Sequence, residues 1–185
     1  MSEVKKALDI FGSSVVNGAR RNLAQKDKNS SKALSNSLAY DSKASKNSFE
    51  FSLSMEDYGE FIDAGVKGIG GSRKKPNAKG ELAYKLKKVT NNKFKYKKGI
   101  QNKPSYKHFN GFTIRRGIAP RSKGGQFTKR RGLMEAISQS VWHTGLETTN
   151  FLKDPFDKYF KTLPEKVVEA YALEVEDLLE FSLKK

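Results

Sequence analysis

The sequence contains no cysteine and only two histidines, His108 and His143. A disulfide framework and a cysteine-based zinc site are therefore excluded. His143 has no second histidine at ligand spacing, so a packing or surface role is favoured for it over metal binding. The absence of cysteine also fits a chain that folds in a reducing cytoplasm.

Long apolar runs are absent as well. No run approaches the roughly 18 residues that a membrane-spanning helix needs, and the N-terminal MSEVKKALDIFG has too short an apolar run for a secretory signal. Apolar residues make up 36% of the chain and charged residues 30%, which predicts a modest core and a loosely packed segment. We therefore expect a soluble protein without membrane contact, with a single domain over residues 1–185.

Catalytic motifs are missing too. The chain has no GxSxG elbow, no Walker-type phosphate loop and no HExxH motif. Gly65, Gly68, Gly70 and Gly71 lack the GxGxxG spacing of a dinucleotide loop, and no lysine-serine pair follows them, so the pattern favours a flexible loop. We expect a protein that is not an enzyme and that binds no cofactor or metal.

Positive charge is concentrated in one segment of the chain, whose net charge is +16 overall. Residues 72–131 hold twenty Lys and Arg against one acidic residue, a net charge of +19, whereas residues 1–71 carry +1 and residues 132–185 carry −4. The segment has no sustained periodicity. It is predicted to be a long basic insertion, with one helical piece near residues 82–89, that orders against a partner.

Two kinds of partner suit this basic segment, nucleic acid and neighbouring protein subunits. Its cations can neutralise phosphates while Tyr84, Phe94 and Tyr96 stack on bases. It can instead dock on acidic surfaces of neighbouring subunits, including the acidic C-terminal helix of another copy, and this alternative is favoured because the chain itself supplies the complementary charge. The residues predicted to contact a partner or DNA are Arg73, Lys74, Lys75, Lys85, Lys87, Lys88, Lys95, Lys97, Lys98, Arg115, Arg116, Arg121, Arg130 and Arg131.

Helix and strand patterns precede the basic segment. Apolar residues at spacings of three and four predict an amphipathic helix over about residues 3–25. The polar residues that follow contain Leu38 and Tyr40, which suit the first strand of a hairpin whose second strand is the alternating FEFSLSM, although Leu34 and Leu38 can instead close a helical turn. The hairpin is favoured, with a flexible turn around residues 43–47.

The spacing of the apolar residues changes after the second strand. Tyr58, Phe61 and Ile62 are spaced as on one face of a short helix, and Gly65 is placed to end it. We expect this helix to contribute to the core. The residues of the stretch assigned to the core are Phe51, Leu53, Tyr58 and Phe61.

The C-terminal part is predicted to be helical. A helix begins near Leu133 and ends at Gly145, Thr149 or Asn150 caps the next helix, and Pro164 begins a long final one. The final helix has one acidic face. Its apolar residues at heptad-like spacing are Val168, Tyr171, Val175, Leu178 and Ser182, widened by Val167 and Leu179.

This order of elements, with YGEFIDAGVKG before the basic insertion and FLKDPFDKYF before the final helix, resembles the tail-completion or neck (head-tail connector) proteins of tailed bacteriophages. The resemblance implies an α+β fold, with a small antiparallel sheet packed by an N-terminal helix and C-terminal helices. The long basic loop insertion, residues 72–131, departs from the common pattern. The positions that match the family are Tyr58, Phe61, Asp63, Gly65, Phe151, Leu152 and Pro155.

The resemblance also implies a function. It predicts a structural virion protein, assembled in the host bacterial cytoplasm, that forms a homo-oligomeric ring of roughly 6 or 12 copies. The ring would join portal or adaptor proteins to tail proteins around the DNA channel, with possible non-specific contact to packaged DNA. The alternative function is a non-specific nucleic-acid-binding protein that uses residues 72–131.

Overall fold

A computed structural model describes the backbone of residues 3–27, 31–45, 48–74, 81–90 and 93–183. The chain groups into two compact units. Whether they form the single domain that the sequence predicts stays a prediction, and each unit is described here by itself. The first unit comprises Met1–Asp57 and Asn150–Lys185, and the second comprises Tyr58–Thr149.

The described elements give the α+β fold that was predicted. Helices dominate, and the strands form short antiparallel pairs. In chain order, the elements are α1 (Glu3–Gln25), α2 (Ala33–Ser37), β1 (Ala39–Ser45), β2 (Ser48–Ser54), α3 (Gly59–Ala64), β3 (Val66–Lys67), β4 (Ser72–Lys74), β5 (Glu81–Ala83), α4 (Asn110–Arg115), α5 (Arg130–Thr144), β6 (Gly145–Leu146), α6 (Lys153–Phe160) and α7 (Leu163–Leu183). Short 3-10 helices cover Ile100–Asn102 and Tyr106–Phe109.

The first unit is built around α1, whose bounds confirm the predicted N-terminal helix. Its buried face contains Leu8, Phe11 and Val15 and packs against Leu163 and Ala170 of α7. Because these α1 residues repeat at spacings of three and four, they form one continuous apolar stripe. The helix also contacts α6 and both strands of the hairpin, so it is the element that the rest of this unit surrounds.

The predicted hairpin is confirmed by the antiparallel pairing of β1 with β2. Tyr40 lies opposite Leu53, and Ser42 lies opposite Phe51. Alternation along β2 turns Phe51 and Leu53 toward the core around α1, where both are half-buried. These two residues were correctly assigned to the core. The predicted turn around residues 43–47 is too long, because residues 43–45 still pair with β2, and residues 46–47 lie outside the described part of the chain.

Two glycines of α1 allow close packing. A Cβ atom on Gly12 would lie 2.4 Å from a ring carbon of Tyr40, and one on Gly18 would lie 2.8 Å from the Cβ of Pro155. Any side chain at these positions would push away β1 or α6. Their packing role therefore offsets the helix propensity that glycine loses, roughly 1 kcal/mol relative to alanine.

The hairpin is also tied to α1 by a polar contact. The Ser42 hydroxyl donates a hydrogen bond to Asp9, and Lys5 Nζ lies 3.1 Å from the second carboxylate oxygen of Asp9. The Ser42 hydrogen bond, followed by Lys5, lowers the pKa of Asp9 below its ordinary value of 3.8. Because the pKa of Asp9 is lower in the folded protein than in the unfolded chain, ionised Asp9 stabilises the fold at pH values above the pKa of the unfolded chain. This stabilisation is lost as the pH falls through the pKa that Asp9 has in the folded protein.

We expect Asp9→Asn to reduce the acid sensitivity of the protein. The difference in unfolding midpoint between neutral pH and about pH 3 should be smaller in the variant than in the wild type, because the wild type alone must protonate Asp9. Urea unfolding followed by circular dichroism at both pH values measures this difference. Asp41→Asn, on the same strand as Ser42, is the matched control. An equal decrease in acid sensitivity in that variant would contradict the role given to Asp9.

The second unit is centred on α5 and a strand pair. Val66 of β3 lies opposite Leu146 of β6, and α5 ends directly before β6 at Gly145, as predicted. The inner face of α5 buries Trp142, whose Nε1 donates to the Lys97 carbonyl at 3.0 Å. The spacing of its own apolar residues thus predicts α5. A hydrogen bond to a residue distant in sequence holds the irregular segment around Lys97 against this helix.

The glycine-rich stretch packs closely against the end of α5. A Cβ atom on Gly68 would lie 2.2 Å from the His143 carbonyl oxygen, and Gly70 N donates to that same oxygen at 3.0 Å. The His143 ring stacks on Tyr84 at a centroid distance of 4.2 Å. The predicted packing role of His143 is confirmed. The flexible-loop interpretation is wrong for Gly68 and Gly70, since backbone contacts fix both positions.

Several local predictions are wrong. Residues 82–89 form no helix, because Glu81–Ala83 pairs as β5 with β4 and the chain then runs extended. The predicted basic insertion contains strands, 3-10 helices and α4, none of which its lack of periodicity indicated. Thr149 does not cap the next helix, because its hydroxyl donates to the Ile62 carbonyl at 2.7 Å, and the residue preceding α6 is Leu152.

Two assignments to the core are also wrong. The helix α3 exists and ends at Gly65, but Tyr58 and Phe61 are exposed. Hydrophobic spacing correctly places them on one face, yet this face lines an open pocket described below. The final helix begins with Pro164 in its first turn as predicted.

Candidate functional site

Positive and negative residues are most unequal in number in the second unit. No acidic residue occurs between Leu82 and Met134. Within the described part of this segment, the lysine and arginine side chains at the predicted contact positions are exposed. We call this set the basic surface. It consists of Lys85, Lys87, Lys88, Lys95, Lys97, Lys98, Arg115, Arg116, Arg121, Arg130 and Arg131.

The remaining predicted contact residues lie in or beside β4. Arg73 and Lys74 are residues of that strand, and the structure describes their backbone only. Lys75 lies outside the described residues. The structure therefore places the other members of the predicted set on one compact unit, and leaves these three as predictions.

Backbone hydrogen bonds hold the chain around the first lysines of the basic surface in place. Lys87 N donates to the Thr144 carbonyl at 2.9 Å, and Thr148 N donates to the Lys88 carbonyl at 3.3 Å. These bonds tie the strand-like chain to the end of α5 and the residues after it. The lysine side chains consequently project from a fixed backbone, although no regular element contains them.

Aromatic and basic residues alternate in the next segment. Lys67 N donates to the Phe94 carbonyl and Tyr96 N donates to the Lys67 carbonyl, both at 2.9 Å. This strand-like pairing turns Phe94 and Tyr96 inward, where they are half-buried, and leaves Lys95 exposed. The alternation has the period of two that an extended chain imposes.

An open pocket of about 670 Å³ lies beside this segment. Phe61 and Phe94 form one wall, with ring centroids 4.5 Å apart, and burial raises the pKa of Tyr96, which lines another part. Most of the lining is apolar, with two lysines. We call this the aromatic pocket, and its lining residues are Tyr58, Phe61, Ile62, Val66, Lys93, Phe94, Lys95, Tyr96 and Leu146.

One lysine of the aromatic pocket is already held by neighbouring groups. Lys93 Nζ lies 5.1 Å from the centre of the Phe94 ring and forms an ion pair with Glu60. Cation-π contacts at exposed sites contribute about 0.5–1 kcal/mol. The pocket therefore combines aromatic walls with a positive rim, an arrangement that suits an apolar group accompanied by negative charge.

Three arginines of the basic surface lie over aromatic rings. The Arg121 guanidinium lies 4.1 Å from the ring centre of the exposed Phe127, in a tight loop closed by a 3.0 Å hydrogen bond from Thr128 N to the Pro120 carbonyl. Arg guanidinium groups stack on rings and still donate hydrogen bonds at their edges. The other two pairs are Arg116 with Phe112 at 5.9 Å and Arg131 with Tyr106 at 5.2 Å.

Positive charge at the start of α5 is unfavourable for the helix itself. The helix begins with Arg130 and Arg131, follows Lys129 and has no acidic residue in its first turn. Cations near a helix N-terminus oppose the helix dipole, at a cost of about 0.3–1 kcal/mol each at low salt. The sequence therefore keeps charges here that do not serve the stability of α5.

We expect Arg130→Glu to stabilise the second unit by about 1 kcal/mol, because an acid in the first turn interacts favourably with the helix dipole. Trp142 is the only tryptophan and lies in α5, so its fluorescence during urea unfolding reports the change. Lys123→Glu makes the same change in charge within an exposed loop and should leave stability within about 0.5 kcal/mol. Equal effects in the two variants would contradict a dipole origin.

The aromatic pocket was not predicted from the sequence. Its lining comes from α3, β3, residues 93–96 and β6, which only the folded chain brings together. The one signal available was the alternation of lysine with aromatic residues around Phe94, which was interpreted as base stacking only in the less favoured of the two alternatives. Among the described residues, no three His, Asp or Glu side chains lie close enough together to bind one metal ion.

Comparisons with known proteins leave the family open. The chain matches no family model, no curated protein and no solved structure. Its resemblance to phage neck proteins therefore stays a prediction. Among the helices within the described ranges, none combines the length and the apolar character needed to cross a bilayer.

Proposed function

We propose that the protein is a structural connector subunit of a tailed phage. Its copies form a ring in the neck, joining portal or adaptor proteins to the tail around the DNA channel, and it acts through assembly rather than catalysis. The observation that supports this function most strongly is that one chain presents two complementary surfaces. The second unit has the basic surface, and α7 of the first unit has exposed glutamates.

Complementary surfaces on one chain favour contacts between copies. When a surface of one copy binds a different surface of the next, the contacts are head-to-tail, and a suitable rotation closes them into a ring. Contacts between two basic surfaces are disfavoured by repulsion, so each contact pairs the basic surface of one copy with the acidic helix of another. The order of elements that resembles phage neck proteins supports the same conclusion independently of charge.

A second candidate function is non-specific binding of nucleic acid. The arginines that lie over Tyr106, Phe112 and Phe127 favour it, because exposed aromatic rings beside cations can stack on bases while the cations neutralise phosphates. Such binding weakens steeply with salt. It is also compatible with a ring around a DNA channel, so it competes with the connector function only if assembly is absent.

One triple variant separates the two functions. Changing Arg121, Arg130 and Arg131 to glutamine removes three exposed charges from the basic surface. If these arginines contact phosphates, the slope of log affinity against log salt should fall by about 2.7. If they contact neighbouring subunits, self-association with portal complexes present should weaken by about tenfold.

The matched control removes the same charge from the first unit, by changing Lys153 and Lys158 of α6, and Lys161 directly after it, to glutamine. Both DNA affinity and sedimentation velocity are measured for the two triple variants. The connector function predicts that only the arginine variant loses assembly. Loss of DNA affinity with unchanged assembly would favour the nucleic-acid-binding protein instead.

A further inference from the structure

The final helix presents an apolar stripe that its own unit does not cover. Val168 is 69% exposed and Tyr171 is 51% exposed, and Val175 is also exposed. Residues spaced by three and seven share one face of a helix, so the three side chains form a ridge about 10 Å long. The neighbouring face of α7 packs into the unit through Val167 and Ala170.

Glutamates border this ridge. At 100° per residue, Glu165, Glu169 and Glu176 lie along one side of the stripe of Val168 and Tyr171. All three glutamates are exposed. The uncovered surface of α7 is therefore an apolar ridge with a negative border.

The aromatic pocket has the complementary character. Its walls are aromatic and aliphatic, and Lys93 and Lys95 lie at its lining. With a volume of about 670 Å³ it can accept several side chains from one helical turn. An aromatic side chain with a polar tip, such as that of Tyr171, suits a site with apolar walls and polar groups nearby.

We propose that the aromatic pocket of one copy binds α7 of a second copy, with Val168 and Tyr171 inserted between the aromatic walls and Glu165, on the Val168 side of the ridge, facing Lys95. A second copy fits better than a nucleobase, because every copy has one pocket and one ridge and each contact covers both. A base in the pocket would leave the apolar ridge of α7 exposed, and the glutamates that border this ridge would repel the phosphates of a strand. This interface rests on the proposed connector function and names its contact between copies.

Cross-linking tests the interface directly, because the natural chain has no cysteine. Lys95→Cys and Glu165→Cys are prepared as separate proteins, mixed and treated with a short bismaleimide. The proposal predicts about tenfold more cross-linked dimer in this mixture than in either protein alone. The control mixture pairs Lys95→Cys with Lys43→Cys, an exposed position on β1. Equal dimer in the two mixtures would overturn the interface.

A complementation experiment tests the head-to-tail geometry. Phe61→Glu disrupts the pocket and Tyr171→Glu disrupts the ridge, and both positions are exposed, so neither change disturbs a buried core. Each variant alone should stay monomeric in mass photometry. Their mixture keeps one intact pocket and one intact ridge, and should form dimers without growing further. No dimer in the mixture would contradict the proposal.

Nucleic acid is the competing occupant. If a short single-stranded oligonucleotide bound the wild type and lost its affinity in Phe61→Glu but not in Tyr171→Glu, the proposed occupant would be wrong. Failure of the connector function gives a different result. Rings on portal complexes without the Lys95-to-Glu165 cross-link would overturn this interface alone, whereas the cross-link without any ring would support the interface and contradict the connector.

Discussion

Phe11→Ala is expected to lower the free energy of unfolding of the first unit by about 3–5 kcal/mol. Phe11 is only 5% exposed, and its ring meets Phe51, Phe156 and Phe160 at centroid distances of 5.0, 5.6 and 6.4 Å. Alanine would remove the ring that joins the hairpin, α1 and α6. The cavity left behind adds to the lost burial of apolar surface.

Urea unfolding followed by far-ultraviolet circular dichroism measures this effect on α1 and its partners. Ile10→Ala is the matched control, because Ile10 precedes Phe11 on the same helix but is 58% exposed. It should cost less than about 0.5 kcal/mol. Similar losses in the two variants would mean that α1 does not pack through the face containing Phe11.

Gly68→Ala is expected to destabilise the second unit by about 3 kcal/mol, the upper range for overpacking. The new Cβ would lie 2.2 Å from the His143 carbonyl oxygen and 2.5 Å from Gly145 N. Both atoms belong to the backbone, so they cannot move aside as a flexible side chain does. The strand pair of Val66 with Leu146 would have to open.

The fluorescence of Trp142 reports this unfolding, since its indole donates to the Lys97 carbonyl within the same unit. Gly132→Ala is the matched control. A Cβ atom at Gly132 meets nothing within 4 Å, and the residue lies in α5, so alanine should stabilise the helix by about 0.5–1 kcal/mol. A tolerated Gly68→Ala would contradict the close approach of the two backbone segments.

Local pattern predicted the regular elements of this fold well. The spacing from Leu8 to Val15 defined α1, the alternation around Phe51 defined the hairpin, and Gly145 marked the end of α5. These signals lie within a few residues of one another. They depend on helix and strand geometry, which neighbouring residues alone determine.

Contacts between distant residues could not be predicted in the same way. Periodicity placed Tyr58 and Phe61 on one face but could not tell whether that face meets a core or an open pocket. Similarly, α7 has two apolar stripes, and only the packed structure shows that Val167 is on the covered one and Tyr171 on the exposed one. The aromatic pocket was missed for this reason.

The basic segment shows the same limit. Its composition correctly indicated an exposed surface, because a chain so rich in lysine and arginine cannot bury them. Composition also suggested a lack of structure, and there it was misleading. Trp142 and His143 of α5 bind backbone carbonyls at Lys97 and Gly70, and these contacts order chain that has no periodicity of its own.

Electron microscopy of the protein incubated with portal complexes of a tailed phage tests the connector function most directly. The proposed function predicts a closed ring of density on the axis of the portal, around an open channel, that is absent from portal complexes alone. The proposed interface between copies, tested in the same experiment, predicts that Tyr171→Glu prevents this ring while leaving the protein folded. Wild-type protein that stays monomeric in mass photometry, and that adds no ring to the portal complexes, would contradict the connector function.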